Sequence, residues 1–159
     1  MCSSDLGKVP LEHVPIELAA IAERTASDLE AVAAKRGTTI AVEAAPALAM
    51  GDEARVGQIA RVLVDNAIRH NPEGVAIVVA TGADATTAWV EVRDSGPRIA
   101  DAEVGAIFTR FARGSGAGEG SGLGLAIASE LAVRMGGRLL LDQDGTRKAF
   151  RLELAADRG

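Results

Sequence analysis

Two runs of alternating apolar residues, Val75–Ala80 and Thr87–Arg93, are joined only by a short segment that begins Thr81-Gly82-Ala83-Asp84-Ala85. Strands this close in sequence pair antiparallel, because a parallel return needs a crossover of about a dozen residues. Helical periodicity flanks the hairpin on both sides. From Ile16 to about Arg36 a stripe runs through Leu18, Ile21, Ala22, Thr25, Leu29 and Val32, and Gly37 stops it. Asp52 is suited to cap a second helix with Val56, Ile59, Ala60, Leu63 and Ala67 on its buried stripe. Asn71-Pro72-Glu73-Gly74 ends that helix with turn chemistry. Leu123, Ile127, Leu131 and Met135 mark a third helix, closed by Gly136-Gly137. Residues 9–14 and Thr38–Glu43 read as short strands, and Arg138–Leu141 with Ala149–Leu154 as a last hairpin. Helices interleaved with hairpins predict a two-layer α/β sandwich, three main helices on a mixed, mostly antiparallel sheet.

Composition narrows the function. A chain of 159 residues is one domain and buries enough surface to need no metal or disulfide for its core. Its single cysteine, Cys2, permits no internal disulfide and points to a reducing, cytoplasmic setting. No apolar run approaches the roughly 18 residues of a membrane span, and the first residues lack a signal-peptide pattern. The net charge of −5 argues against nucleic acid as partner. Trp89 is the only tryptophan and tyrosine is absent, so stacking on bases is not the chain's main business. Residues 1–8 read as a remnant or the tail of a preceding helix, 9–155 as the domain, and 156–159 as a tail.

Three segments carry chemistry. On the second helix Val62, Asn66, Arg69 and His70 share a stripe beside the buried one. An amide oxygen flanked by an arginine and a histidine at the core's edge suits a magnesium polyphosphate, although polar residues on a helix flank are commonly just solvated. Asp94 falls on the apolar face of its strand with Val90 and Val92. A carboxylate buried there needs donors. The exocyclic amine of a purine would serve, with Gly96 leaving room for a flat ring, but Asp-Ser-Gly-Pro is also good turn sequence. Finally, every second residue from Gly114 to Gly124 is glycine, running through Gly118-Glu119-Gly120-Ser121-Gly122-Leu123-Gly124-Leu125 into the third helix. Free amides at a helix start favour an anion. This is neither a Walker loop nor a dinucleotide loop, since no Gly-Lys-Ser/Thr follows and Leu125 holds the third glycine position.

In this order, with Ile107-Phe108-Thr109-Arg110-Phe111 between the second and third, these segments resemble the catalytic and ATP-binding (Bergerat-fold) domain of bacterial sensor histidine kinases. That domain shares its superfamily with DNA gyrase, mismatch-repair and heat-shock chaperone ATPases. Val62–His70 looks like the N box, Asp94–Gly96 like G1, Phe108–Phe111 like the F box and Gly120–Leu125 like G2; the likeness runs from about residue 12 to 154. The resemblance implies Asn66 as the Mg²⁺ ligand bridging the ATP phosphates. It implies Arg69 and His70 in contact with phosphate and base, and Asp94 as acceptor for the adenine amine, with Gly96 and Ile99 beside it. Gly120, Ser121, Gly122 and Gly124 would wrap the phosphates, anchored by Leu123 and Leu125. Phe108 and Phe111 would hold a lid over about 97–121, from which Arg110 or Arg113 reaches the terminal phosphate. A carboxylate at Asp94 would face the carbonyl of guanine unfavourably, so ATP is expected over GTP.

The chain departs from the pattern at three places. Val62 stands where these kinases carry another asparagine and hydrolysing relatives a glutamate, Arg98 replaces the second G1 glycine, and Lys148 stands, two residues before Phe150, where the family often has a threonine close to the adenine. No acceptor histidine is evident, since His13 precedes Val14-Pro15 and His70 lies in the N box. The resemblance therefore implies an ATP- and Mg²⁺-binding kinase domain that phosphorylates a histidine on a dimerisation domain elsewhere in a membrane-anchored parent, which passes the phosphate to a response regulator. A nucleotide-binding switch without transfer and an anti-sigma-factor-type serine kinase fit the same residues.

Overall fold

The computed structural model describes residues 11–97, 99–100, 121–144 and 147–157. The hairpin expected at the centre is there, as β4 (Ala76–Ala83) and β5 (Thr87–Asp94). Asp84 closes it by accepting the backbone N–H groups of Thr86 and Thr87. To one side of this pair β2 (Thr39–Ala44) joins β4 in parallel. To the other, β7 (Arg147–Ala155) pairs antiparallel with β5, and β6 (Arg138–Asp144) with β7. The resulting five-stranded mixed sheet has the order β2-β4-β5-β7-β6.

Among the described residues three helices, α1 (Leu18–Ala34), α2 (Glu53–Arg69) and α3 (Ser121–Arg134), complete the two-layer sandwich. The core between the layers is aliphatic: Leu18, Ile21, Val56, Ile59 and Leu63 from α1 and α2 meet Val79, Val90 and Leu152 from the sheet, all fully buried. Each such side chain contributes about 1.5–3 kcal/mol by leaving water. On other sheet positions the charged residues pair. Glu91 is buried and accepts from Arg151 at 2.7 Å and Arg93 at 3.1 Å, while the Arg151 guanidinium lies 5.0 Å from the centre of the Trp89 ring.

The asparagine-and-glycine turn after α2 is built as expected, but several local expectations shift. The strand expected over 9–14 lies at β1 (Val14–Glu17), because Ile16 is the residue that buries and its backbone pairs with β3 (Leu48–Gly51). β3 itself is a short Leu-Ala-Met-Gly strand without β-branched residues, and nothing in its composition announces it. Taking Ile16 and Glu17 into β1 delays α1 to Leu18, with the Glu17 carboxylate accepting the Ala19 N–H at the helix start. Val32 is exposed and Ala33 takes its place in the core. In α3 the buried stripe is Leu125, Ala128 and Ala132, continued by Met135 just past the helix end, and Ile127 faces out. Asp157 donates its backbone N–H to Leu48, so the chain stays attached to β3 past the end of β7.

α2 begins as predicted. Asp52 caps it, accepting the Arg55 N–H at 3.2 Å through one oxygen and the Glu12 N–H at 3.0 Å through the other. Those contacts, the Glu12 bond first, hold its carboxyl below the usual carboxylate value although burial opposes them.

Candidate functional site

Topology brings the predicted segments to one end of the sandwich. β5 ends at Asp94, directly opposite Ile77 near the start of β4 and Lys148 near the start of β7. α2 leads into β4, so its C-terminal turn lies at the same end. α3 leads into β6, whose start pairs with the far part of β7, so the N-terminus of α3 also belongs to the Asp94 end.

The residues placed there form a connected polar cluster. Asp94 is buried, as its alternation with Val90 and Val92 predicts. Its Oδ1 accepts the Gly96 N–H at 2.9 Å and stands 3.4 Å from Lys148 Nζ. Lys148 is also buried and donates to Asn71 Oδ1 at 3.0 Å and to the Pro97 carbonyl at 2.7 Å. Asn71 Nδ2 in turn donates to the Ala67 carbonyl at 2.8 Å, which satisfies a last-turn carbonyl of α2. The space that Gly96 leaves by lacking a Cβ is filled by the Asn71 amide, not kept open for a flat ring. Ser95 fixes the same turn by exchanging bonds with Ala76: its Oγ accepts the Ala76 N–H at 3.0 Å, and its N–H donates to the Ala76 carbonyl at 3.1 Å.

Asn66 lies one turn inside the end of α2. It is buried, and its Nδ2 has no hydrogen-bond partner. A buried amide left unpaired is costly unless a ligand completes it, and an amide can turn either its nitrogen or its oxygen inward. Among the described residues no three His, Cys, Asp or Glu side chains are grouped to hold a metal ion. A cation here would therefore rely on Asn66 and on oxygens brought by a phosphate ligand, and the unpaired amide fits that arrangement.

The flanking basic residues face solvent. Arg69 is exposed and ion-paired with Asp65 at 2.8 Å, and His70 is exposed at the helix cap with its backbone N–H on the Asn66 carbonyl. Ile99 is half-buried, its N–H and carbonyl both bonded by the Gln143 side chain at 2.6 and 3.1 Å. Gly122, Leu123 and Gly124 belong to the first turns of α3, which already starts at Ser121, so this part of the expected phosphate loop is helical. A Cβ on Gly124 would stand 3.5 Å from Val62 of α2, and Leu125 is buried. Phe108, Arg110, Phe111, Arg113 and Gly120 lie outside the described residues, as do Arg98 and most of the expected lid.

Sequence reasoning assigned no site role to Asn71 or Gln143, and it singled out Lys148 only as a departure from the family pattern close to the adenine. Lys148 had a usable signal: it alternates with Phe150 and Leu152 on an inward face, where an ammonium must find acceptors. A separate concavity at the start of α2 is lined by Glu12, Arg24, Asp52, Arg55 and Arg61, shares no residue with this cluster, and has Arg24 and Arg61 paired to Glu53 and Asp28.

A helix-and-sheet sandwich with a buried aspartate at a strand end and an unpaired asparagine on the facing helix defines a class. Residues 51–158 match the family described as histidine kinase-, DNA gyrase B-, and HSP90-like ATPase, and the chain belongs to that family. It is 37% identical over 94 residues to sensor protein TorS of Escherichia coli, covering 59% of this chain and 10% of TorS. It is 35% identical over 99 residues to sensor protein kinase PmrB of Pseudomonas aeruginosa, covering 62% of this chain and 21% of PmrB. Among solved structures, full-length ShkA in complex with AMPPNP superposes with a TM-score of 0.80 at 27% identity, over 93% of this chain and 32% of ShkA. The chain thus spans about a tenth and a fifth of the two sensor proteins.

Proposed function

We propose that this chain is the ATP-binding catalytic domain of a sensor histidine kinase. It would hold ATP at the Asp94 end of the sandwich and donate the γ-phosphate to a histidine on a dimerisation domain outside this chain. The observation that carries the reading is the convergence there of buried Asp94, unpaired Asn66 and the N-terminus of α3.

In this reading Asp94 accepts from the base through Oδ2, since Oδ1 is already engaged by Gly96. Ile99 and Leu125 supply apolar contact. The amides of Gly120 to Gly124 and the start of α3 meet the phosphates, and Arg69 and His70 sit at the flank where phosphate charge would approach. Phe108 and Phe111 anchor a lid from which Arg110 or Arg113 addresses the terminal phosphate. Mg²⁺, held by Asn66 and the phosphates, would supply charge neutralisation. The acceptor imidazole nitrogen forms a bond to the γ-phosphorus as the bond to the ADP oxygen breaks, so this domain's task is positioning. Val62, in place of a carboxylate or amide, gives attacking water no base. The phosphohistidine would then serve a response regulator. ATP supply places the domain on the cytoplasmic side; among the described residues no helix is long and apolar enough to cross a membrane.

The test is transfer. With γ-labelled ATP and Mg²⁺ the chain should label a separately supplied acceptor-histidine domain from its own longer protein and should not label itself. Strong labelling of His13 or His70 would overturn the reading.

A further inference from the structure

The chain that follows Asp94 is held from outside its own strand. Lys148 and Gln143 face one another across the β6–β7 ladder. Lys148 Nζ donates to the Pro97 carbonyl at 2.7 Å, and the Gln143 side chain bonds the N–H and the carbonyl of Ile99. Lys148 alone of the two reaches further: it donates to Asn71 Oδ1 at 3.0 Å and stands 3.4 Å from Asp94 Oδ1. Its three N–H groups therefore have three oxygens of the protein within reach, and none is left for a ligand. With its side chain only 8% exposed, any effect on a bound nucleotide passes through the groups it holds.

Among those groups Asp94 is the one with an oxygen to spare. The terminal torsion of an aspartate is broad, so neighbours decide which way its carboxylate faces. The Gly96 N–H at 2.9 Å and the Lys148 ammonium both lie on Oδ1, and no described residue donates to Oδ2. The ammonium also offsets a negative charge whose side chain is 2% exposed. Through Asn71, whose Nδ2 holds the Ala67 carbonyl, the same contacts tie Asp94 to the turn of α2 beside Asn66.

We propose that Lys148 is a positioning residue for the base acceptor: it holds Asp94 so that Oδ2 faces the 6-amino group of the nucleotide. This rests on the nucleotide-binding reading above.

The test compares ATP with purine riboside triphosphate, which lacks only the 6-amino group. Both are titrated calorimetrically in Mg²⁺ against the wild-type chain, Lys148→Met and Lys148→Gln, each first checked for a cooperative melt. The wild type should favour ATP by about tenfold or more. In whichever variant folds, ATP affinity should fall by about that factor while affinity for the analogue changes less than about threefold. A merely structural role would weaken both nucleotides together. Equal losses, an undiminished preference for ATP, or failure of both variants to fold overturns the assignment. A wild type that binds both nucleotides equally removes Asp94 as the base acceptor, and one that binds neither brings down the nucleotide-binding reading; the proposal falls with either.

Discussion

Gly96→Ala probes how the polar cluster around Asp94 is assembled. A methyl group at this position would collide with Asn71 Oδ1 and stand 3.1 Å from Asp94 Oδ1. Asn71 cannot yield freely, because its nitrogen holds the Ala67 carbonyl and its oxygen accepts from Lys148. Overpacking of this kind costs about 1–3 kcal/mol. Breaking a buried bond to a charged group costs about 1–3 kcal/mol more, and part of it is relieved if Lys148 turns further toward Asp94. A net loss of about 2–4 kcal/mol is expected for Gly96→Ala, the sum of those two effects less the relief from Lys148.

The decisive measurement is a double-mutant cycle in urea. Asn71→Ala alone should cost about 2 kcal/mol, for the lost bonds to Lys148 and Ala67. In the Asn71→Ala background the methyl at residue 96 enters vacated space, so its extra cost should fall below about 1 kcal/mol. The coupling between the two positions should therefore exceed 1 kcal/mol, read from unfolding midpoints at constant slope. Costs that add to within about 0.5 kcal/mol would refute the claim that residue 96 is glycine on account of Asn71.

Two further outcomes follow from the structure. Asn66→Ala should weaken ATP binding in Mg²⁺ much more than in EDTA while leaving the melting transition cooperative; an equal loss in both buffers would remove the metal role. Asp52 has its folded pKa below the ordinary 3.8, so the stability it adds is whole above that value and lost as pH falls through it toward the folded pKa. Asp52→Asn keeps a capping acceptor without the charge, so its stability deficit relative to wild type should shrink below about pH 4. A deficit constant from pH 7 to pH 3 in chemical denaturation would refute that account.

What was legible in the chain was whatever a single local rule determines. Period 2 placed Asp94 on the buried face, cap chemistry placed Asp52, and the i, i+3, i+4 spacing of Val56, Ile59, Ala60 and Leu63 placed the core face of α2. The parallel pairing of β2 with β4 was not legible as such, because it depends on a crossover through β3 and α2 and not on either strand's own pattern. In α3 the small residues Ala128 and Ala132 bury against neighbours that approach closely, and the bulkier Ile127 is left outside, so hydrophobicity alone selected the wrong residue.

The polar cluster around Asp94 was only partly legible, for a different reason. Asn71 opens an Asn-Pro-Glu-Gly turn, and that turn accounts for an asparagine so fully that no further role is called for. Lys148 stands out in the sequence only as a departure from the family pattern, with no partner to explain it. Neither is informative alone; each becomes so through the other, because an ammonium on an inward face requires oxygen acceptors, and Asn71, Pro97 and Asp94 arrive from three separate segments to supply them. The surroundings of Asp94 are thus completed by a residue 54 positions further along the chain, its partner across the β5–β7 ladder.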